Sequence, residues 1–146
     1  MAPSIRTVVV CMALTLATSV SAQEAGRIRV VQGTVAIERG AETTAATTGA
    51  RLLASDTIRT GADGAAGILL RDDSLLSIGP NSVLSLARYA YDPVTQEGRF
   101  DAVLNKGTLA VVSGRIAKRS PEAVTVRTPA AILGVRGTEF IVSVDE

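Results

Sequence analysis

The stretch Phe100-Asp101-Ala102-Val103-Leu104-Asn105 decides the fold class, because its side chains alternate between the two faces of the backbone. One face carries Phe, Ala and Leu, and the other carries Asp, Val and Asn. A period of two over a short run is typical of a half-buried β-strand. The same period occurs in residues 34–38 and 139–144, so strands are predicted there as well.

The composition of the chain after Ala22 also favours strands. Residues 23–146 contain 13 Val, 8 Ile and 12 Thr, and β-branched residues are preferred in strands and disfavoured in helices. All 13 glycines fall in this part, mostly about 8 to 12 residues apart, which is the turn spacing of an all-β domain. We therefore predict one all-β domain over residues 23–146. It should contain roughly ten to twelve short strands, in a sandwich or a rolled, solenoid-like stack.

Several local patterns refine this prediction. Continuous apolar runs at residues 68–70, 75–78 and 110–112 predict strands that are covered on both faces. Residues 41–50 are rich in Ala and Thr, and we interpret them as a connecting loop. Similar strand-like pieces recur about every ten to twenty residues, which favours successive coils of a solenoid. No window after residue 22 has the apolar stripe of a helix.

The first 22 residues have the pattern of a secretory signal peptide. Arg6 supplies a positive charge, an apolar run follows at residues 8–17, and small residues precede Gln23. The run is shorter than the roughly 20 residues that a spanning helix needs. We predict export, cleavage after Ala22, a periplasmic location with an extracellular one as the alternative, and a mature form that does not span the membrane. An uncleaved N-terminal anchor is the alternative.

Charge and side-chain chemistry exclude several classes of function. Loss of residues 1–22 removes Arg6 and leaves 14 basic and 14 acidic residues, whereas nucleic-acid binding needs a cationic excess. The chain has no His, the commonest general base and metal ligand. Lys106 and Lys118, the only lysines, lie in polar contexts that indicate solvated charges rather than catalytic bases. We predict no enzymatic activity, no nucleic-acid partner, no cofactor and no metal site.

Two stretches could be interpreted as binding motifs. Asp72, Asp73, Ser74 and Asn81 supply oxygens for a weak calcium candidate, although a turn is the favoured interpretation. Residues 134–138 are rich in glycine, as phosphate-binding loops are. Such loops lead into a helix, whereas a strand-like run follows here, so a structural turn is favoured.

One longer stretch is more specific: Thr128-Pro129-Ala130-Ala131-Ile132-Leu133-Gly134-Val135-Arg136-Gly137-Thr138-Glu139-Phe140. It resembles the signature of the FecR domain, which takes its name from a periplasmic regulator of iron-citrate signalling. Four further blocks stand in the family's order, at residues 31–35, 56–61, 72–82 and 107–109. Together the similar blocks extend over nearly all of the chain after Ala22, and their shared order makes chance similarity improbable.

The resemblance implies an all-β fold and a set of structural motif residues: Asp56, Thr60, Gly61, Thr128, Pro129, Gly134, Arg136, Gly137 and Thr138. Gly134 and Gly137 flank Val135-Arg136 and are expected to permit a sharp turn. We expect Arg136 to act as a structural clasp that binds a buried carboxylate. Asp56 is the first candidate partner and Asp72 the second.

The chain departs from the family pattern at two turn positions. Ser55 stands where the family usually has Gly before the first aspartate, and Asp72-Asp73-Ser74 stands where the family has Asp-Gly-Ser. Both positions are expected to be turns, and Asp tolerates the left-handed conformation better than most residues. In classical FecR regulators a membrane helix joins this domain to a cytoplasmic segment, whereas here we expect a signal peptide in place of both.

These observations lead to two functional hypotheses. The first is a non-enzymatic exported protein that acts by contact with an unknown envelope protein, in envelope signalling or regulation. The second is a module that binds a glycan or peptidoglycan fragment, in which exposed aromatic rings would stack on the sugar. Only four aromatic residues are present, so the exposure of Tyr89 and Tyr91 distinguishes the two hypotheses.

Overall fold

The computed structural model describes residues 23–135 and 139–145. The predicted signal peptide, residues 1–22, lies outside the described residues, and so do Arg136, Gly137 and Thr138. Predictions about the leader and about these three motif residues therefore stay predictions.

In the described part of the chain, twelve strands form one strongly curled sheet. Those of the first half are β1 (Glu24–Gln32), β2 (Val35–Arg39), β3 (Glu42–Ala45), β4 (Arg51–Leu53), β5 (Thr57–Thr60) and β6 (Ala65–Leu70). Those of the second half are β7 (Leu75–Ile78), β8 (Val83–Tyr91), β9 (Gly98–Val112), β10 (Val124–Arg127), β11 (Ile132–Gly134) and β12 (Glu139–Val144). A short helix, α1 (Arg115–Arg119), and a 3₁₀ turn (Pro121–Ala123) connect β9 to β10. The prediction of a single all-β domain is confirmed.

Strand β9 joins two halves of the sheet, because each half pairs with a different part of it. Its first part pairs with β8 on one side and with β10 on the other. Its last part, from Gly107 to Val112, pairs with β7 and β12. Beyond β7 the sheet continues with β6, β1 and β4, and beyond β8 it continues with β5, β2 and β3. All of these pairs are antiparallel except β9–β10. One continuous hydrophobic cluster contains buried residues from both halves.

The alternation predicted for β9 is present in part. Phe100, Ala102 and Leu104 are completely or almost completely buried, and Asn105 on the opposite face is exposed. Asp101 departs from the prediction, because it lies on the opposite face and is nevertheless buried, at 7% exposure. Val35 and Ile37 in β2 are likewise buried on one face. The period of two therefore identified the core-facing side of these strands correctly.

The apolar runs were predicted to be covered on both faces, and this is wrong. Strands β6 and β7 alternate strictly between buried and more exposed positions. Leu75 in β7 is 45% exposed and Val112 at the end of β9 is 39% exposed. The reason is topological, since an antiparallel sheet can pack one face on the core and leave the other open.

Three other local expectations are also corrected. Residues 41–50 were expected to be a loop, but they contain the edge strand β3, whose four residues are all exposed. The helix α1 was missed because five residues are too few to show a helical stripe. The recurring pieces do not form successive coils, since β5 pairs antiparallel with β8 while β7 lies in the other half.

Gly107 marks the point where β9 passes from one half of the sheet to the other. Its φ of 93° lies in the left-handed region that favours glycine, and a Cβ atom there would lie 2.0 Å from Ser82 Oγ. Ser82 is completely buried, and its hydroxyl accepts a hydrogen bond from Thr108 N–H at 3.0 Å. The hydroxyl also donates to the carbonyl of Pro80. The corner therefore excludes a side chain by conformation and by contact at once.

We expect Gly107→Ala to destabilise the domain by about 3 kcal/mol or more, because the new methyl group must displace Ser82 and hold a positive φ. Gly134→Ala is the matched control, since a Cβ at Gly134 would meet none of the described residues within 4 Å. It should change the free energy of unfolding by less than about 0.5 kcal/mol. Urea unfolding of the two variants measures both values. Equal stability of the two variants would refute the steric account of the corner.

Candidate functional site

The family-like block at residues 72–74 forms a buried network around the carboxylate of Asp72, which is 1% exposed. Oδ1 accepts hydrogen bonds from the Tyr89 hydroxyl at 3.2 Å and from Ser74 N–H at 3.2 Å. Oδ2 accepts from Ser74 Oγ at 2.8 Å and from Ile116 N–H at 3.2 Å. One carboxylate thus ties the turn between β6 and β7 to strand β8 and to helix α1.

The start of helix α1 is held by the same network. Gly114 N–H donates to Ser74 Oγ at 3.0 Å, and Arg115 N–H donates to the Asp72 carbonyl at 2.8 Å. A Cβ atom at Gly114 would lie 2.4 Å from that carbonyl, so only glycine allows this approach. The Asp-x-Ser pattern therefore supplies acceptors to backbone N–H groups that the first turn of a helix leaves unpaired.

Burial and the charge of Asp72 affect the phenol of Tyr89. Its desolvation and the nearby carboxylate both raise the pKa of Tyr89 well above its ordinary value of 10.0. The hydroxyl also accepts a hydrogen bond from Asp72 N–H at 3.0 Å. Tyr89 is therefore held in its neutral form as a structural donor and acceptor.

A second buried carboxylate, Asp56, is paired with the guanidinium of Arg39 in β2. Arg39 donates from Nε to Oδ1 at 2.8 Å and from Nη2 to Oδ2 at 2.7 Å. Leu53 N–H also donates to Oδ2, at 2.8 Å. Asp56 is 1% exposed while the Arg39 side chain is about half exposed. The hydrogen bond to Asp56 raises the pKa of Arg39 above its ordinary value.

This pair bears on the clasp expected from Arg136. Among the described residues, the guanidinium that binds Asp56 is that of Arg39, which lies outside the motif that carried the resemblance. Asp72, the second candidate, is occupied by hydroxyl and backbone donors. Arg136 itself lies outside the described residues, so its partner stays a prediction.

Thr60 and Gly61 form part of the corner below Gly107. Thr60 Oγ1 donates to the Gly79 carbonyl at 2.7 Å and accepts from Ser82 N–H at 2.9 Å. The Gly61 carbonyl accepts from Asn81 N–H at 3.0 Å and from Gly64 N–H at 2.9 Å. The structure thus brings two predicted motif residues together in a structural role. The Thr60 hydroxyl is engaged within the protein, by its 2.7 Å hydrogen bond to the Gly79 carbonyl.

Thr128 and Pro129 lie in the tight turn between β10 and β11. Thr128 N–H donates to the Ala131 carbonyl at 2.8 Å, and Ala131 N–H donates back to Thr128 Oγ1 at 3.1 Å. Gly134 ends strand β11 without a left-handed φ, and no described residue lies within 4 Å of a Cβ atom built on it. Gly137, the second glycine of the expected turn, lies outside the described residues, so that turn stays a prediction.

The two departures from the family pattern both have left-handed backbones. Ser55 has a φ of 77° and Asp73 a φ of 68°. These are the positions where glycine is usual in the family, and a glycine would adopt this conformation at no steric cost. The expected turn positions are confirmed.

The aromatic side chains do not form an exposed platform in the described part of the chain. Tyr89, Tyr91 and Phe100 are each at most 4% exposed, and Phe140 is half-buried. Tyr89 and Phe100 pack edge to face, with ring centroids 5.8 Å apart. The condition set for sugar stacking, exposure of Tyr89 and Tyr91, is therefore not met.

Other reactive groups are scattered. Lys106 lies within β9 rather than in a loop, and Lys118 lies on α1. Within residues 23–135 and 139–145, no group of three or more acidic, Cys or His residues is placed to hold a metal ion. Across the same ranges, no helix combines the length and apolar character needed to cross a bilayer.

Sequence reasoning missed the exposed apolar face of the sheet. Leu75 and Val112 are direct cross-strand neighbours on the outer face, and Ile141 in β12 is 70% exposed there. The signal was present in the runs at residues 75–78 and 110–112. These runs were interpreted as doubly covered strands because sequence alone does not show what covers a sheet.

We expect Arg39→Ala to destabilise the domain by about 1–3 kcal/mol, because it leaves the buried Asp56 with one backbone donor. Arg39→Lys should recover little, since an ammonium cannot make the two parallel hydrogen bonds. Arg59→Ala is the control, because its partner Glu38 lies at the surface, and its melting temperature should match the parent. Thermal melts test all three, and equal melting of Arg39→Ala and Arg59→Ala would contradict the prediction.

Tyr89 and Tyr91 offer a matched pair of hydroxyl deletions. Tyr89→Phe should cost about 1–2 kcal/mol because it removes two hydrogen bonds to Asp72. Among the described residues, the Tyr91 hydroxyl is buried without a partner, so Tyr91→Phe should cost nothing or add stability.

The same pair gives a pH test. A raised pKa in the folded state means that the contribution of Tyr89 is complete below about pH 10 and is lost as the pH rises further. The urea concentration at the midpoint of unfolding can be measured between about pH 8 and pH 11.5, the range over which Tyr titrates. With rising pH it should fall less steeply for Tyr89→Phe than for Tyr91→Phe. If the urea midpoints of the two variants fall equally with rising pH, Tyr89 does not cause the loss of stability at alkaline pH.

Comparison with known proteins gives one match. The family model described as FecR protein matches residues 56–146, which is more than half of the chain. Neither the curated proteins nor the solved structures contain a match. The matched range includes Asp56, the Asp72 network, the Gly107 corner and the turn at Thr128, whereas Arg39, which binds Asp56, lies outside it. The chain belongs to the FecR family.

Proposed function

We propose that this chain is an exported, non-enzymatic protein of the periplasm that acts by protein–protein contact in envelope signalling or regulation. The match to the FecR family over residues 56–146 carries the proposal, because the family is one of envelope regulators rather than enzymes. The signal-peptide pattern at residues 1–22 supports export.

The use of the polar motif residues also supports a non-enzymatic role. The oxygens of Asp56 and Asp72 accept hydrogen bonds from the protein's own backbone, hydroxyl and guanidinium groups. Catalytic carboxylates need access to a substrate, and these two are 1% exposed. The sequence contains no His that could activate one of its hydroxyl groups.

The outer face that includes Leu75 and Val112 supports a role in protein contact. These two side chains are 45% and 39% exposed and lie opposite each other on β7 and β9. Clustered apolar side chains on an outer sheet face are more typical of a contact surface than single exposed ones are. The pair therefore supplies a defined place to test for a partner.

The alternative, binding of a glycan or peptidoglycan fragment, has less support. Tyr89 and Tyr91 are 3% and 4% exposed, so neither ring can stack on a sugar without unfolding its strand. No other observation favours that alternative.

In-cell cross-linking of the tagged chain, followed by its recovery from the periplasmic fraction, tests the proposal. We expect a chain that begins at Gln23 by mass and carries a cross-linked envelope protein. Val112→Lys should abolish that cross-link, whereas Val94→Lys should retain it, because Val94 is 89% exposed in the loop between β8 and β9.

Two results would contradict the proposal. Recovery of a chain that begins at Met1 from the cytoplasm would refute export, and Leu14→Arg, which places a charge in the apolar run, provides the reference for a retained chain. Co-sedimentation with purified peptidoglycan, without any cross-linked protein, would replace the proposal with the glycan alternative.

A further inference from the structure

One row of outward side chains changes from charged to apolar as it crosses the sheet. In register order it contains Arg51, Arg27, Leu69, Leu75 and Val112, which are cross-strand neighbours on β4, β1, β6, β7 and β9. All five side chains lie on the face away from the core and are exposed or half-buried. The exposed apolar pair of the proposed contact surface therefore continues, along the same row, into two guanidinium groups.

A shift of register adds a third guanidinium beside this row. Pairing between β1 and β6 shifts between Ile28 and Val30, so Arg29 and Val30 are both exposed although they are consecutive. An irregularity of this kind redirects a side chain that regular alternation would turn the other way. Arg29 and Arg71 line, together with Leu69, a hollow of about 300 Å³.

The row begins with an unfavourable pair of like charges. Arg27 and Arg51 are direct neighbours across strands, and like charges in that position destabilise a sheet. Glu24 serves both of them, with its carboxylate oxygens 3.2 Å from Arg27 Nε and 3.9 Å from Arg51 Nε. One carboxylate thus compensates two guanidinium groups.

The hollow itself has an excess of basic groups. Its other acidic residue, Asp73, pairs with Arg115 at 3.1 Å. Within the described residues, neither Arg29 nor Arg71 forms an ion pair. Five guanidinium groups therefore accompany two carboxylates in this region, although basic and acidic residues are equal in number over residues 23–146.

We propose that this surface binds an acidic and apolar protein segment of the envelope partner. Carboxylates of that segment bind Arg29 and Arg71, and its apolar side chains pack on Leu75 and Val112. The planar guanidinium group suits a carboxylate, which it binds through two parallel hydrogen bonds. The inference rests on the proposed function and adds the chemistry of the partner to it.

The shape of the surface favours a protein segment over a lipid membrane. The next outer row is low, because Gly67, Ser77 and Ala110 are neighbours on β6, β7 and β9. A shallow trough therefore runs beside the apolar row, and three strand spacings, about 14 Å, separate Arg27 from Val112. Apolar groups that enter a bilayer lie deeper than the basic groups around them, whereas here both kinds lie side by side on one sheet face.

Zero-length cross-linking with a carbodiimide tests the chemistry of the partner, because this reagent joins an amine to a carboxylate and leaves arginine unchanged. Arg29→Lys and Arg71→Lys keep the positive charge and supply an amine at the hollow. In an envelope fraction, we expect both variants to become joined to the protein that the in-cell cross-link recovers. Mass spectrometry of the digest should place the new bond on an acidic residue that has apolar residues close to it in sequence.

Arg59 provides the matched control, because it is an exposed arginine on β5, in the other half of the sheet. Arg59→Lys should form no such bond. Charge reversal gives a second measurement: Arg29→Glu combined with Arg71→Glu should lower the yield of the in-cell cross-link at least about tenfold, since like charges would then meet. Arg59→Glu should leave that yield unchanged, and thermal melts establish that every variant is folded.

The outcomes separate this inference from the proposed function. A partner whose recovery depends on Val112, but which forms no bond with Arg29→Lys or Arg71→Lys, would overturn the acidic segment and leave the proposed function standing. Sedimentation of the purified parent with phosphatidylglycerol vesicles, lost in Arg29→Glu, would assign the surface to lipid instead. Recovery of no partner from any variant would contradict the proposed function, and this inference with it.

Discussion

The rest of the structure depends on the corner at Gly107, where one strand serves two halves of a sheet. Before the corner, β9 pairs with β8 and β10, and after it β9 pairs with β7 and β12. Gly107 has a left-handed backbone, and the buried hydroxyl of Ser82 lies where a Cβ atom at Gly107 would be. Because β9 is the strand that pairs with both halves, the geometry of this corner determines how the two halves lie over their shared core.

Two buried carboxylates organise the loops that the curled sheet leaves at its ends. Asp72 collects donors from a turn, a strand and a helix, and Asp56 combines a turn with the Arg39 guanidinium. Buried charges are costly unless they are fully hydrogen-bonded. Asp56 accepts three hydrogen bonds and Asp72 accepts four, so each carboxylate holds its donors in one arrangement. The buried carboxylates of the family-like blocks at residues 56–61 and 72–82 therefore hold neighbouring turns, strands and a helix in place.

The sequence predicted the strands well wherever one face alone determines the pattern. The alternation in β2, β9 and β12 and the turns at Ser55 and Asp73 are local properties, and the structure contains them. Partner choice is not local. Nothing in the sequence near Asp56 indicates that Arg39 binds it, because the contact depends on which strands become neighbours. The exposure of Leu75 and Val112 was missed for the same reason, since an apolar run has one appearance whether its second face is covered or open.

The position of β9 also determines when the chain can fold. Its four partner strands lie both before and after it in the sequence, so neither half is complete until residues beyond 112 are present. A chain that emerges from its N-terminus first must therefore carry β1 to β8 without their central strand. Pairings between strands so far apart in sequence are slow to form and leave apolar edges open meanwhile. The proposed export in an unfolded state is compatible with such a topology, because folding requires the last third of the chain in any case.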